Sequence, residues 1–92
     1  MNRSDLEKQY LELGNQLPTV YPDFHFKNHC YWRIALDQVV GDQWNRRLKS
    51  PAYKNLSDEQ LLTTVNYMKA YQSDEVLLKQ HNQESLSWRG KL

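Results

Sequence analysis

One cysteine, Cys30, stands in the whole chain, so neither an internal disulfide nor a disulfide scaffold is available. No apolar run approaches the ~18 to 20 residues that a membrane-spanning helix requires. The opening Met-Asn-Arg-Ser-Asp has nothing of a signal peptide's apolar core, which makes the cytoplasm the default expectation and a membrane location an unexpected one. The three glycines are isolated at 14, 41 and 90, so no glycine-rich loop exists to cradle a phosphate. Zinc-protease, calcium-loop and cofactor fingerprints are missing, and no Ser-His-Asp or paired-carboxylate arrangement can be recognised. Internal repeats, heptads and low-complexity tracts are absent too. Lys and Arg number 12 against 11 Asp and Glu, a formal net charge of +1. So small a charge gives no steering toward nucleic acid or an anionic membrane, and any such contact must rest on a local patch.

What is present suits one small folded domain spanning 1–92. A chain of 92 residues can build one modest core, and 39% hydrophobic with 25% charged residues fits a globular protein rather than a disordered one. Ser4, with Glu7 three positions on, reads as a capping box for a first helix over about 5–13, which Gly14 and Asn15 would stop. Pro18 and Pro22 then bias Leu17 and Tyr21 away from helix, giving an extended aromatic loop over 15–27. Phe24 and Phe26 alternate with Asp23 and His25 in it, a strand-like rhythm too short to imply a sheet.

Asn28 reads as the cap of a second helix, 29–40, ended by Gly41. Tyr31, Trp32, Ile34, Ala35, Leu36, Val39 and Val40 cover most of its circumference, which puts it at the centre of a bundle. Arg33 and Asp37, four apart, are placed to pair. A short helical piece near 43–49, capped by Asp42, ends before Pro51. Ser57 with Gln60 caps a third helix over 58–71, and Ser73 a fourth over 74–88, with 89–92 expected to fray. The fold class is therefore all-α: a small four-helix bundle-like domain with an additional short helical segment and an extended aromatic loop.

Four groups of residues could carry function. His25, His29 and Cys30, with Asp23 nearby, are suitable metal ligands by type, but Asn28 breaks the helical spacing and no second Cys exists, so no metal and no cofactor is expected. Cys30 would sit in the first turn of the second helix, where unpaired N–H groups lower a thiol pKa. His29 points about 100° away from it and is a poor direct base, leaving a buried, inert thiol as the reading and no enzyme. Arg46, Arg47, Lys49 and Lys54, interleaved with Trp44 and Tyr53, form a basic segment. Two helices split at Gly41 resemble a helix-turn-helix, with 42–49 as the candidate nucleic-acid reader, although it is barely two turns long.

The fourth group is aromatic. Six Tyr, three Trp and two Phe are more than a bundle of this size buries with ease, and Tyr, Trp and Arg are the residue types of interface hot spots. Tyr21, Phe24, Tyr53, Tyr67, Tyr71 and Trp88 are the candidate protein-binding residues. Leu77, Leu78, Leu86 and Trp88 add an apolar stripe that suggests a homodimer. The expected function is a small non-enzymatic protein-binding or regulatory module, with nucleic-acid binding through the segment 44–54 as the alternative.

Overall fold

The computed structural model describes residues 2–24 and 27–91. These form four α-helices and no strand: α1 Arg3–Val20, α2 Asn28–Val40, α3 Asp58–Tyr71 and α4 Glu75–Trp88. Two single 3-10 turns, Trp44–Arg46 and Ala52–Lys54, carry the chain from α2 to α3. α2 packs on all three other helices, and the broadest helix–helix contact is α1 on α3. The expected Phe24/Phe26 alternation falls partly on residues 25 and 26, outside the described residues.

α1 departs most from expectation. It runs seven residues past Leu13, through Gly14, Asn15 and Pro18, to Val20. The reason is a buried stripe, Leu6, Tyr10, Leu13 and Leu17, spaced at alternating four and three residues, with Leu17 fully buried. Tertiary burial of that last leucine overrides the local preference of glycine and proline to end the helix. The loop expected over 15–27 thus begins only at Tyr21. Its start is closed by the Tyr21 N–H donating to the Leu17 carbonyl.

Gly14 is a packing residue rather than a stop. A Cβ there would lie 1.9 Å from Nε1 of Trp32, so the indole rests directly on the α1 backbone. Trp32 Nε1 donates to the Tyr10 carbonyl at 2.9 Å. The Tyr10 ring is stacked between Trp32, at 5.6 Å, and Tyr53, at 5.2 Å, which joins α1, α2 and the second 3-10 turn.

The caps also shift. Asn2, not Ser4, caps α1, its side chain accepting from the Asp5 N–H. Glu7 is engaged elsewhere, by Arg3 at 3.0 Å and Lys54 at 2.9 Å. Arg3 reaches on to the carbonyls of Leu56 and Tyr53, clamping the start of α1 to the segment before α3. Lys27 stands at the capping position of α2, and Asn28 is its first residue. Asp74 rather than Ser73 caps α4, accepting from the Leu77 N–H. Gly41 ends α2 with φ 77°, a left-handed conformation that favours glycine. The Ser57–Gln60 box forms in full.

Asp37 does not pair with Arg33. It is fully buried, and its carboxylate accepts from four donors. Those are Arg89 Nε at 2.7 Å, Arg89 Nη2 at 3.0 Å, the Ser85 hydroxyl at 2.6 Å and the Trp44 N–H at 2.9 Å. Arg89 is therefore a structural anchor rather than the first residue of a frayed end, and the Lys91 N–H behind it donates to the Leu86 carbonyl. Helix α4 is pinned to α2 by a charge it supplies just past its own last turn.

Two stability measurements check this account. Gly14→Ala gains about 1 kcal/mol of helix propensity but drives a methyl group into an indole, so urea unfolding should show a net loss of about 2 kcal/mol. Arg89→Ala leaves a buried carboxylate without its countercharge and should cost about 3 to 5 kcal/mol. A change below about 0.5 kcal/mol, the range of an ordinary surface substitution, would refute the role given to Arg89.

Candidate functional site

The aromatic residues are unequal in accessibility. Tyr71 is fully buried and belongs to the core, so it offers no exposed surface to a partner. It lies on the apolar stripe of α3 with Leu61, Val65 and Met68, and its hydroxyl bonds to His81 Nδ1 at 2.7 Å. Tyr67 is half-buried and meets the same imidazole edge-on at 5.1 Å. Tyr53 is half-buried in the stack on Tyr10, with Lys54 Nζ 5.4 Å from its ring centre. Trp88 is half-buried on α4. Of the apolar stripe considered for self-association, Leu78 is fully buried and Leu77 packs against the core. Leu86 is half-buried.

Tyr21 and Phe24 remain as a pair. Their rings stack at 5.0 Å, both half-buried. The Tyr21 hydroxyl donates to the Tyr71 carbonyl, and Lys79 Nζ sits 5.6 Å from the Phe24 ring centre. These contacts hold the segment after α1 against the end of α3 and, through Lys79, the first turns of α4. Val20, 40% exposed, precedes the pair, and Val76, 76% exposed, stands three residues before Lys79 on α4.

The basic segment is exposed but partly neutralised. Arg46 and Arg47 share Asp42 at 4.0 and 3.7 Å, and Lys54 is paired with Glu7. Lys54 is the leading cause of a Glu7 pKa below the ordinary carboxylate value, with Arg3 second. Lys49 is exposed. The expected helix over 43–49 is a single 3-10 turn, Trp44–Arg46, because Asp42 accepts from the adjacent Gln43 N–H and Asp37 draws in the Trp44 N–H. A one-turn element presents no recognition helix to a groove, which removes the helix-turn-helix geometry.

His29 is exposed and Cys30 is a half-buried free thiol at the start of α2. His25 lies outside the described residues. Among the described residues, no three His, Cys, Asp or Glu side chains gather where they could hold a metal ion. His29 and Cys30 instead line a cleft of about 320 Å³ with Arg33, Leu86, Arg89 and Lys91. Arg33 is half-buried there; its terminal nitrogens donate to the Ser85 hydroxyl and the Asn82 amide oxygen, both at 2.8 Å. Burial is the first cause of its pKa lying below the ordinary arginine value, and Arg89 also lowers it. The sequence offered no sign of this cleft, because Arg89 and Lys91 sit in a tail whose local pattern suggests fraying.

No protein-family model matches the chain, and no curated protein or solved structure matches it. Among the described residues, no helix is long and apolar enough to cross a membrane.

The Tyr71–His81 pair makes a pH prediction. Desolvation pushes the His81 pKa below its ordinary 6.5, against weaker upward pulls from Glu84 and Asp74. The unfolded chain then binds a proton that the folded chain resists, so the stabilisation is whole above pH 6.5 and is lost as pH falls through the folded pKa. Urea unfolding across that window should show stability declining with falling pH, with a shallower slope in His81→Phe. Identical slopes would mean that other groups carry the titration.

Proposed function

We propose that this chain is a non-enzymatic cytoplasmic module that acts by docking another protein, a second copy of itself included. The observation that carries the reading is the face at the end of α1. There Val20 leads into the stacked Tyr21 and Phe24, Phe24 meets Lys79 of α4, and Val76, three residues before Lys79, is 76% exposed. Single exposed apolar side chains are ordinary, whereas a cluster rimmed by charge is typical of an interface. Glu75 and Lys79, 3.8 Å apart, supply such a rim. Tyr21 and Phe24 are held in place before any partner arrives, which reduces the ordering cost of binding. Of the six aromatic residues first considered, this reading keeps Tyr21 and Phe24 at its centre. Tyr53 and Tyr67 have their ring contacts inside the bundle, and Trp88 lies at the far end of α4.

The non-enzymatic part of the reading rests on the absence of a catalytic motif in the sequence. The nucleic-acid alternative draws on Arg46, Arg47, Lys49 and Lys54, but three of these four cations already face a carboxylate.

The test is affinity capture from native cell extract with wild-type protein and with a Phe24→Ser/Val76→Asp double variant, the eluate being assayed for protein and nucleic acid. A protein partner should be retained by the wild type and weakened about tenfold or more in the variant, the effect of losing a hot-spot residue. Because Phe24 packs against the core, the double variant should melt below the wild type, whereas Val76→Asp alone, outside the core, should melt with the wild type and still weaken capture. Equal capture by both proteins overturns the reading. So does a salt-sensitive nucleic-acid partner lost on changing Arg46 and Arg47. Sedimentation at high micromolar concentration separates the two kinds of partner: a mass of 11.0 kDa excludes a second copy.

A further inference from the structure

The cleft between α2 and the end of α4 involves none of the residues of the proposed docking face, and its charge is unbalanced. Arg33, Arg89 and Lys91 supply three cations at its walls. Among the described residues, the one carboxylate bonded to any of them is Asp37, which lies beneath with no exposure and is held by Arg89. Counted over Arg33, Arg89, Lys91 and Asp37, three cations less one anion leave about +2, on a molecule whose total is only +1. Arg33 makes the imbalance specific: it is half-buried, yet its two terminal nitrogens are bonded to neutral acceptors, a hydroxyl and an amide oxygen. A guanidinium withdrawn from water without a bonded anion has lost hydration that an anion could replace.

We propose that this cleft is a binding site for a small phosphate-type dianion, held by Arg33, Arg89 and Lys91 beside the apolar wall of Leu86. Volume and charge set the class of ligand. At about 320 Å³ the cleft is at the small end of ligand sites, with room for a phosphate and a short organic group but not for an extended polymer. Two excess positive charges match a dianion better than a single carboxylate. The terminal nitrogens of Arg33 are engaged with Ser85 and Asn82, and Arg89 turns Nε and Nη2 toward Asp37. What remains is concentrated charge rather than a free planar fork, which again favours a compact dianion over a carboxylate that is best held by two parallel bonds. Lys91 contributes an exposed cation to the lining, on a backbone held by its bond to Leu86.

The experiment is a titration of the isotope-labelled full chain with inorganic phosphate, followed by amide and arginine side-chain NMR shifts. Ionic strength is held constant with chloride, and acetate serves as the comparison anion. Saturable shifts in the low-millimolar range, centred on Cys30, Arg33, Leu86 and Lys91, are expected, with acetate at least several-fold weaker. Lys91→Gln should weaken phosphate about fivefold, the upper range for an exposed ion pair, without altering the fold. Arg33→Gln should weaken it about tenfold or more, as expected for a charge-assisted bond. If Arg33→Gln does not fold, Lys91→Gln alone decides. Arg46→Gln, outside the cleft, should leave the affinity unchanged. The proposal fails if phosphate produces no saturable shifts, if the shifts centre on Arg46 and Arg47, if acetate binds as well as phosphate, or if Lys91→Gln changes nothing. Binding to vesicles bearing phosphatidic acid without binding to inorganic phosphate also overturns it, since the anion is then read as part of a membrane surface.

Discussion

Asp37 is a carboxylate with no access to water, and the α2–α4 half of the bundle is arranged around satisfying it. Moving such a charge out of solvent costs several kcal/mol unless donors and a countercharge replace the lost hydration. Four donors do so here, from two separate parts of the chain: Ser85 and Arg89 at the end of α4, and the Trp44 N–H of the 3-10 turn that follows α2. Each of those segments is constrained as a result. Helix α4 must extend far enough to deliver Ser85 and Arg89. The chain after Gly41 must fold back to offer the Trp44 N–H. The pairing of Asp37 with Arg89 leaves Arg33, one turn earlier on α2, to find neutral partners and face the cleft. A single buried charge thus connects the architecture of the C-terminal half to its most distinctive surface feature.

The α1–α2 contact rests on a different principle, close approach. Gly14 lacks a side chain where the Trp32 indole crosses α1, and the space it leaves is filled by the ring and its bond to the Tyr10 carbonyl. The Trp32–Tyr10–Tyr53 stack then carries that contact across to the segment before α3. Arg3 and Glu7 reinforce the same junction from outside. The aromatic supply is thereby divided by task. One set builds the junction, Tyr71 and Tyr67 enclose His81, and Tyr21 with Phe24 is left at the surface.

The two functional proposals draw on opposite ends of this division. The docking face consists of apolar groups that the core did not absorb. The anion cleft consists of cations that the buried carboxylate did not neutralise. Neither requires motion of the helices, and each can fail without affecting the other.

The number of helices, their class and most of their boundaries are legible in the sequence, because 3.6-residue periodicity is a local signal, although the capping residue of α1, α2 and α4 lies one or two positions from the expected one. Ser57 with Gln60, and Gly41 after Val40, act in the structure as their chemistry implies. The central place of α2 follows from an apolar circumference that only a bundle interior can accommodate. Local signals mislead where a distant partner outweighs them. Gly14 and Pro18 look like a helix end until Leu17 is seen in the core. Arg33 looks like the mate of Asp37 until Arg89 arrives from the other end of the chain. Tyr71 looks like one more interface tyrosine until α4 brings His81 to its hydroxyl. The cleft lined by Arg33, Arg89 and Lys91 was not legible at all, since it joins residues more than fifty positions apart and the arginine left with neutral partners depends on which one the carboxylate accepts. The sequence by itself determined a helical bundle of given segments, because propensity and amphipathic spacing act within a few residues. Only the tertiary structure decided which charges are neutralised and which aromatics are covered, because burial and pairing are settled between segments that the chain keeps far apart.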